Sequence, residues 1–247
     1  MLSKTLSTAV MGIDAYMVEV EVDFVRGAGR SVVVGLPDTA VKESIDRVKS
    51  AIANSGFFVP QNDTIINLAP ADTRKEGPAF DLPIAIGMLI SDHQLEPVRA
   101  GNYALVGELA LEGLVRPVKG CLSMAMECRR AGLRGVIVPE QNAREAAVVE
   151  GLDVIPAKTL AEAAGFISGK LDVPPQRVDV TSIFEEGRQA DLEFSDVKGQ
   201  EHVKRALIVA AAGHHNLLMM GPPGSGKTML ARRLPTILPP LQLQEAS

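Results

Sequence analysis

Tryptophan is absent from the 247 residues, and aromatic side chains of every kind make up only 4%. Any buried core must therefore be built from Val, Ile, Leu, Ala and Met. Cysteine is nearly absent too. Cys121 and Cys128 fall on one predicted helix, about 10 Å apart at the usual rise per residue. That is beyond the reach of a disulfide within a straight helix. Neither belongs to a CxxC pair or a Cys/His cluster of the kind that holds zinc. They read as small core-filling thiols in a reducing compartment. Long apolar runs are missing as well. Ile84–Ile90 and Val203–Ala212 fall well short of the roughly 20 residues that span a bilayer. Met1–Val10 has one lysine and no sustained apolar stretch, so no secretory signal is expected. The expected location is cytoplasmic, with no membrane partner. Nor is there an excess of basic charge. Lys and Arg number 25 against 30 Asp and Glu, a net charge of −5. That excludes a general nucleic-acid coat, which is usually basic, but leaves room for a local basic patch.

What is present alternates between strand and helix over the first ~168 residues, within the range of one domain. Val18, Val20, Val22 and Phe24 recur at every second position between Glu19, Glu21 and Asp23, the signature of a half-buried strand. Arg26–Gly29 reads as a turn and Ser31–Val34 as the hairpin partner of that strand. Gly35-Leu36-Pro37-Asp38 opens a helix whose buried stripe is Val41, Ile45, Val48 and Ile52, closed by Gly56. Ile65–Leu68 is a short buried strand, followed by a loop over Ala69–Pro78. Phe80–Ser91 is a helix with Pro83 tolerated in its first turn. Ala104–Gly107 and Leu114–Val118 read as a hairpin around Glu112-Gly113. Leu122–Ala131, Ala143–Val149 and Leu160–Ser168 are predicted helices, and Gly135–Val138 and Val154–Ile155 predicted strands. The mixture of hairpins and β-α units predicts an α/β domain with a mixed sheet over residues 1–168. Residues 169–194 read as a linker, marked by Pro174-Pro175 and Glu185-Glu186-Gly187. A second unit starts near Ser195. It has a helix over Gln200–Ala212, a strand over Asn216–Met220, and a helix over Met229–Leu234 that Pro235, Pro239 and Pro240 interrupt. Residues 195–247 are too few for a whole nucleotide-binding domain, so the chain reads as part of a longer protein.

Between that strand and that helix lies Gly221-Pro222-Pro223-Gly224-Ser225-Gly226-Lys227-Thr228, which fits G-x-x-x-x-G-K-[ST] at every defined position. Each residue type has a chemical reason. Glycines let the backbone curl so that several N–H groups face phosphate oxygens. The helix start adds partial positive charge. Lys227 brings a cation to the β- and γ-phosphates, and the Thr228 hydroxyl is a ligand for Mg²⁺. The alternative, a Gly/Pro-rich surface turn, does not account for the apolar strand before the loop and the helical start after it. The expected ligands are ATP and Mg²⁺, bound by Gly221–Thr228. No catalytic residue is assigned. His214 and His215 sit at a helix-to-strand turn with no carboxylate or cysteine nearby in sequence, and read as turn residues rather than metal ligands.

Asp196-Val197-Lys198-Gly199-Gln200 before a helix, then Gly213–Met220 leading into the loop, resembles the opening of the AAA+ module in magnesium-chelatase-type ATPases. The first domain adds Gly35-Leu36-Pro37-Asp38, Asn67–Asp72, Lys75-Glu76-Gly77, Phe80–Ala85 and Gly107-Glu108-Leu109. These resemble the competence-protein ComM (YifB-type) family, bacterial AAA+ proteins with a Lon-protease-like N-terminal domain. The resemblance covers nearly the whole chain. It implies a Lon-like, ribosomal-protein-type two-layer mixed-sheet domain followed by the beginning of a P-loop AAA+ domain. It also implies a hexameric ring that moves DNA, with branch migration during natural transformation as the proposed role. The Walker B acid and arginine finger of such a motor are not among these residues, so this span alone is not expected to hydrolyse ATP. Two other readings remain: a chelatase-type motor aiding metal insertion into a porphyrin, and a non-catalytic assembly or interaction module.

Lon-type peptidases use a Ser–Lys dyad, and here both positions are changed. Lys75-Glu76-Gly77-Pro78 resembles the stretch before the serine, but Ala79 follows it. Pro117-Val118-Lys119-Gly120-Cys121 resembles the stretch before the lysine, but Leu122 follows it. A methyl group cannot attack a carbonyl and an isobutyl group cannot take a proton. Ser123 and Lys119 are displaced from the required positions, so no peptidase activity is expected. Arg129, Arg130 and Arg134 gather near one helix end, where cations also answer the helix dipole. That explanation is preferred to a DNA patch, and Arg74-Lys75 reads as a solvated loop pair.

Overall fold

The computed structural model describes residues 2–178 and 193–238. The chain divides into two compact units, Met1–Val178 and Asp179–Ser247. Much of the expected linker, including Glu185-Glu186-Gly187, lies outside the described residues, as do Pro239 and Pro240.

The first unit opens with β1 (Ser3–Met11), which turns at Gly12 into β2 (Asp14–Val25). β3 (Ser31–Val34), α1 (Thr39–Asn54) and β4 (Asp63–Ala69) follow. A short 3₁₀ turn, Pro78–Phe80, then leads into α2 (Asp81–Ser91). Next come β5 (Tyr103–Leu105), the small arms β6 (Glu108–Leu109) and β7 (Val115–Arg116), and α3 (Cys121–Arg130). The unit closes with β8 (Gly135–Pro139), α4 (Glu140–Ala146), β9 (Asp153–Ala157) and α5 (Leu160–Ile167). Seven strands form one sheet in the order β3-β4-β2-β1-β5-β8-β9. β1–β2 and β2–β4 are antiparallel; β3–β4, β1–β5, β5–β8 and β8–β9 are parallel. This is the mixed α/β sheet that the sequence predicts.

Side-chain alternation assigns the faces. Ile137 and Ile155 point into a core shared with α1, α2 and α5. Val136, Val138 and Val154 point the other way, into a core shared with α3 and α4. Helices therefore cover both faces of this half of the sheet, and the two-layer plan gains a further layer where α3 and α4 sit.

The central strand β1 was not legible as a strand, and its composition explains why. Its inward row is Ser3, Thr5, Ser7 and Ala9, with almost no apolar signal, yet all are buried. The three hydroxyls donate to the carbonyls of Gly87 (2.7 Å), Pro83 (3.1 Å) and Leu105 (2.8 Å). Buried hydroxyls with partners carry little penalty, and small side chains let α2 lie close to the sheet. A Cβ on Gly87 would sit 2.8 Å from a Val22 methyl.

Two strand pairings differ from expectation. β3 does not form a hairpin with β2; β4 lies between them. The Arg26–Gly29 turn folds over Asp63, whose carboxylate accepts from Arg30 N–H at 2.8 Å. The α1 crossover then sets β3 parallel to β4, as parallel pairing requires. The predicted arm Ala104–Gly107 splits. Tyr103–Leu105, apolar on both faces, enters the sheet, while Glu108–Leu109 forms the small hairpin with Val115–Arg116. Helix α4 begins before the predicted Ala143, at Glu140.

α1 follows the predicted pattern. Val41, Ile45, Val48 and Ile52 are buried, the Asp38 carboxylate caps the N-terminus, and Gly56 at φ 84° ends it. Gly35 is needed for close approach, since a Cβ there would lie 2.1 Å from the Leu68 carbonyl oxygen. Residues past 168 continue the first unit to Val178. Gln176 N–H donates to the Val154 carbonyl at 2.8 Å, and Arg99 pairs with Asp172 at 2.5 Å.

The second unit contains a 3₁₀ turn at Phe194–Asp196, α6 (Glu201–Ala212), α7 (Lys227–Arg233) and a 3₁₀ turn at Leu234–Ile237. Val197, Leu207 and Leu230 form its small core, with Met219 packed against it. Residues 216–220, expected as a strand, form no ladder. A strand needs a neighbour for its N–H and C=O groups, and none of the described residues of this unit supplies one. Leu218 and Met220 are accordingly 84% and 86% exposed.

Candidate functional site: a phosphate-type loop

Gly221–Thr228 joins this extended segment to α7. Gly224 and Gly226 have φ of 83° and 85°, a conformation that disfavours any residue with a Cβ. Ser225 N–H turns back to the Pro222 carbonyl at 3.3 Å, and Leu230 N–H closes the first helical turn on Gly226 at 3.0 Å. No side chain caps α7, so none occupies the first-turn N–H groups that every helix start leaves free. Positive charge at the far end is arranged to match. Arg232 and Arg233 occupy the last turn, where cations oppose the dipole's negative pole.

The Lys227 ammonium folds back over the loop. It donates to the carbonyls of Gly221 at 2.8 Å and Pro222 at 2.9 Å, and lies 3.3 Å from the Ser225 hydroxyl. These are neutral acceptors, and an anionic oxygen is a stronger partner for an ammonium group. Thr228 is exposed on the same helical turn. A cleft of about 450 Å³ runs beside the loop, lined by Gln200, His202, Met219, Gly221, Ser225 and Lys227. The sequence-predicted residues Gly221, Pro222, Pro223, Gly224, Ser225, Gly226, Lys227 and Thr228 thus form one continuous turn presenting N–H donors, a cation and a hydroxyl. That set fits a polyphosphate. Among the described residues no group of three or more His, Cys, Asp or Glu could hold a metal ion.

His214 and His215 close α6. His214 takes φ 51°, and His215 N–H donates to the Ala210 carbonyl at 2.9 Å. This is the turn role that the sequence favours.

The first unit holds the two positions, Ala79 and Leu122, at which the Lon resemblance places a peptidase dyad. Ala79 and Leu122 belong to the same apolar layer. Beside Ala79 lies a cavity of about 560 Å³ lined by Asp38, Glu76–Phe80, Glu108 and Pro117–Lys119, with Ala9, Val10 and Met124. None of these carries a hydroxyl or thiol. Ser123 points elsewhere and donates to the Ile13 carbonyl at 2.7 Å. Cys121 and Cys128 are buried, and burial pushes both thiols up to about 12. Lys75, expected as half of a solvated loop pair, is instead buried, its ammonium donating to the carbonyls of Pro70 and Thr73, while three of the arginines have acidic partners. Arg130 pairs with Glu127 at 2.8 Å, Arg134 with Asp153 at 3.5 Å, and Arg74 with Glu76 at 3.4 Å.

The second unit carries a glycine-rich loop that enters a helix at a lysine, the local pattern of a phosphate-type loop. Comparison with known proteins gives the class. Residues 20–142 match a family model described as subunit ChlI of Mg-chelatase, and 193–247 match one described as magnesium chelatase, subunit ChlI. The YifB protein of Escherichia coli is 45% identical over 246 residues, covering 99% of this chain and 47% of that protein. Competence protein ComM of Haemophilus influenzae is 43% identical over 242 residues, 97% of this chain and 47% of that protein. The Lon protease of Halothermothrix orenii is 32% identical over 136 residues, 52% of this chain and 17% of that protein. The chain belongs to the YifB/ComM family of magnesium-chelatase-like proteins. It spans about half the length of these YifB and ComM relatives. Among the described residues no helix is long and apolar enough to cross a membrane.

Proposed function

We propose that this chain is the nucleotide-binding opening part of a magnesium-chelatase-like AAA+ ATPase, a cytoplasmic ring motor that acts on DNA. The observation that carries the reading is the loop Gly221–Thr228, with its left-handed glycines, uncapped helix start and Lys227 ammonium resting on weak acceptors. A Mg²⁺-bound triphosphate replaces those carbonyls with anionic oxygens and meets the N–H groups of Gly224–Thr228. The likeness to ComM supports a role in handling DNA during competence, and ring ATPases of this class support a hexamer. In the full-length protein, Lys227→Ala abolishes MgATP binding by calorimetry. An unchanged affinity refutes the reading.

A second reading follows from the matching families, which are described as a magnesium chelatase subunit. On that reading the same loop powers metal insertion into a porphyrin. ATP turnover by the full-length protein that rises with branched DNA and is indifferent to a porphyrin separates the two.

A further inference from the structure

Gln200 occupies an unusual place at the start of α6. Its backbone has φ 56° and ψ 38°, a left-handed conformation that strains a residue with a long side chain. It is held there by its own helix, since its carbonyl accepts from both Val203 N–H and Lys204 N–H at 3.0 Å. A residue at such a helix start ordinarily caps it with its side chain, but the Gln200 side chain makes no such bond. Instead Nε2 reaches the phosphate-type loop and donates to the Ser225 carbonyl at 3.4 Å. The same nitrogen stands 3.5 Å from where a Cβ on Gly226 would be. Glycine or asparagine would satisfy the backbone at residue 200 with less strain, but neither side chain would span this gap.

We infer that Gln200 is a positioning residue for the loop, fixing the plane of the Ser225–Gly226 peptide so that the Gly226 N–H points at bound phosphate. The argument rests on peptide planarity. In a trans peptide the C=O and the following N–H point in opposite directions. Drawing the Ser225 carbonyl toward Gln200 on one side of the loop therefore turns the Gly226 N–H to the other. Gly226 at φ 85° has no side chain to resist rotation of this peptide, so an outside tether is needed to select one orientation. Gln200 thereby couples the segment preceding α6 to the geometry of the anion cup.

The inference rests on the phosphate-binding reading above, and the experiment separates the two. Full-length protein and its Gln200→Asn and Gln200→Gly variants are titrated with MgATP and with inorganic triphosphate. Both substitutions tolerate the left-handed backbone, and an unchanged melting temperature confirms folding. Both ligands are expected to bind about fivefold more weakly, the worth of one neutral hydrogen bond. The Gly226 amide resonance of the nucleotide-free protein is expected to move as well. Wild-type affinity in both variants, or weakening toward MgATP but not triphosphate, overturns the positioning role while leaving the loop's function intact. Failure of the wild-type protein to bind either ligand overturns the phosphate-binding reading and this inference with it.

Discussion

Asp81 has no exposed surface, yet it carries a carboxylate at the start of α2. It accepts from Arg47 Nε at 2.9 Å, from Arg47 Nη2 at 3.2 Å and from Leu109 N–H at 3.1 Å. One side chain thus ties α1, α2 and the β6 arm together. Burial pushes its pKa above the usual carboxylate value, while Arg47 and the Leu109 amide pull it down less strongly. A raised folded pKa means that the group's contribution to stability is fully present below the unfolded value and is lost as pH rises through the folded one. Arg47→Met removes the main opposing pull, raises that pKa further and leaves a buried charge without its partner. The expected loss is on the order of 3 kcal/mol at pH 7 and smaller at an acidic pH, where protonation of Asp81 removes the unpaired charge. Urea unfolding of wild type and variant at the two pH values measures it. A loss independent of pH would show that Arg47 acts through packing alone. Asp81 lies in the Phe80–Ala85 motif, but its pairing with Arg47 was not legible in the sequence, because the two are 34 residues apart along the chain.

At the scale of elements, α1 was the most legible part of the fold. Its apolar stripe, its Asp38 cap and its closing Gly56 are all local features. The tertiary structure adds a second use for the cap. Asp38 accepts from Val41 N–H at 2.8 Å and also from Gly77 N–H at 3.1 Å, while its own N–H donates to the Lys75 carbonyl at 3.0 Å. The cap therefore also holds the Lys75–Pro78 stretch that leads to Ala79. Asp38→Ala is expected to destabilise the protein by about 1–2 kcal/mol, and Asp38→Asn by less, since asparagine keeps a capping oxygen. Chemical denaturation of both variants decides it, and equal losses would mean that charge rather than capping matters. The elements that sequence patterning misplaced were those whose faces depend on distant partners. β1 looked structureless because its buried row is made of hydroxyls. β3 looked like a hairpin arm because the intervening strand β4 comes later in the chain.

For the whole molecule, part of the first unit is similar in sequence to a Lon protease, and the positions that this likeness equates with a Ser–Lys dyad hold Ala79 and Leu122. Ala79 and Leu122 are packed in one apolar layer, and the neighbouring cavity has no hydroxyl or thiol in its lining. Casein incubated with the purified protein is expected to remain intact on a gel over hours. Cleavage that persists after active-site serine inhibitors are excluded as artefact would require a nucleophile elsewhere in the chain.

The sequence by itself determined the features that depend on neighbouring residues: the left-handed glycines of Gly221–Thr228, the cap and stripe of α1, and the alternation of β2. Local backbone sterics and contiguous spacing dictate these. Only the tertiary structure decided the order of the strands, the burial of Asp81 against Arg47, the inclusion of Ala79 and Leu122 in one apolar cluster, and the reach of Gln200 to Ser225. Each of these depends on which faces become buried against which, a balance of non-local burial and hydrogen bonding that no short window of residues contains.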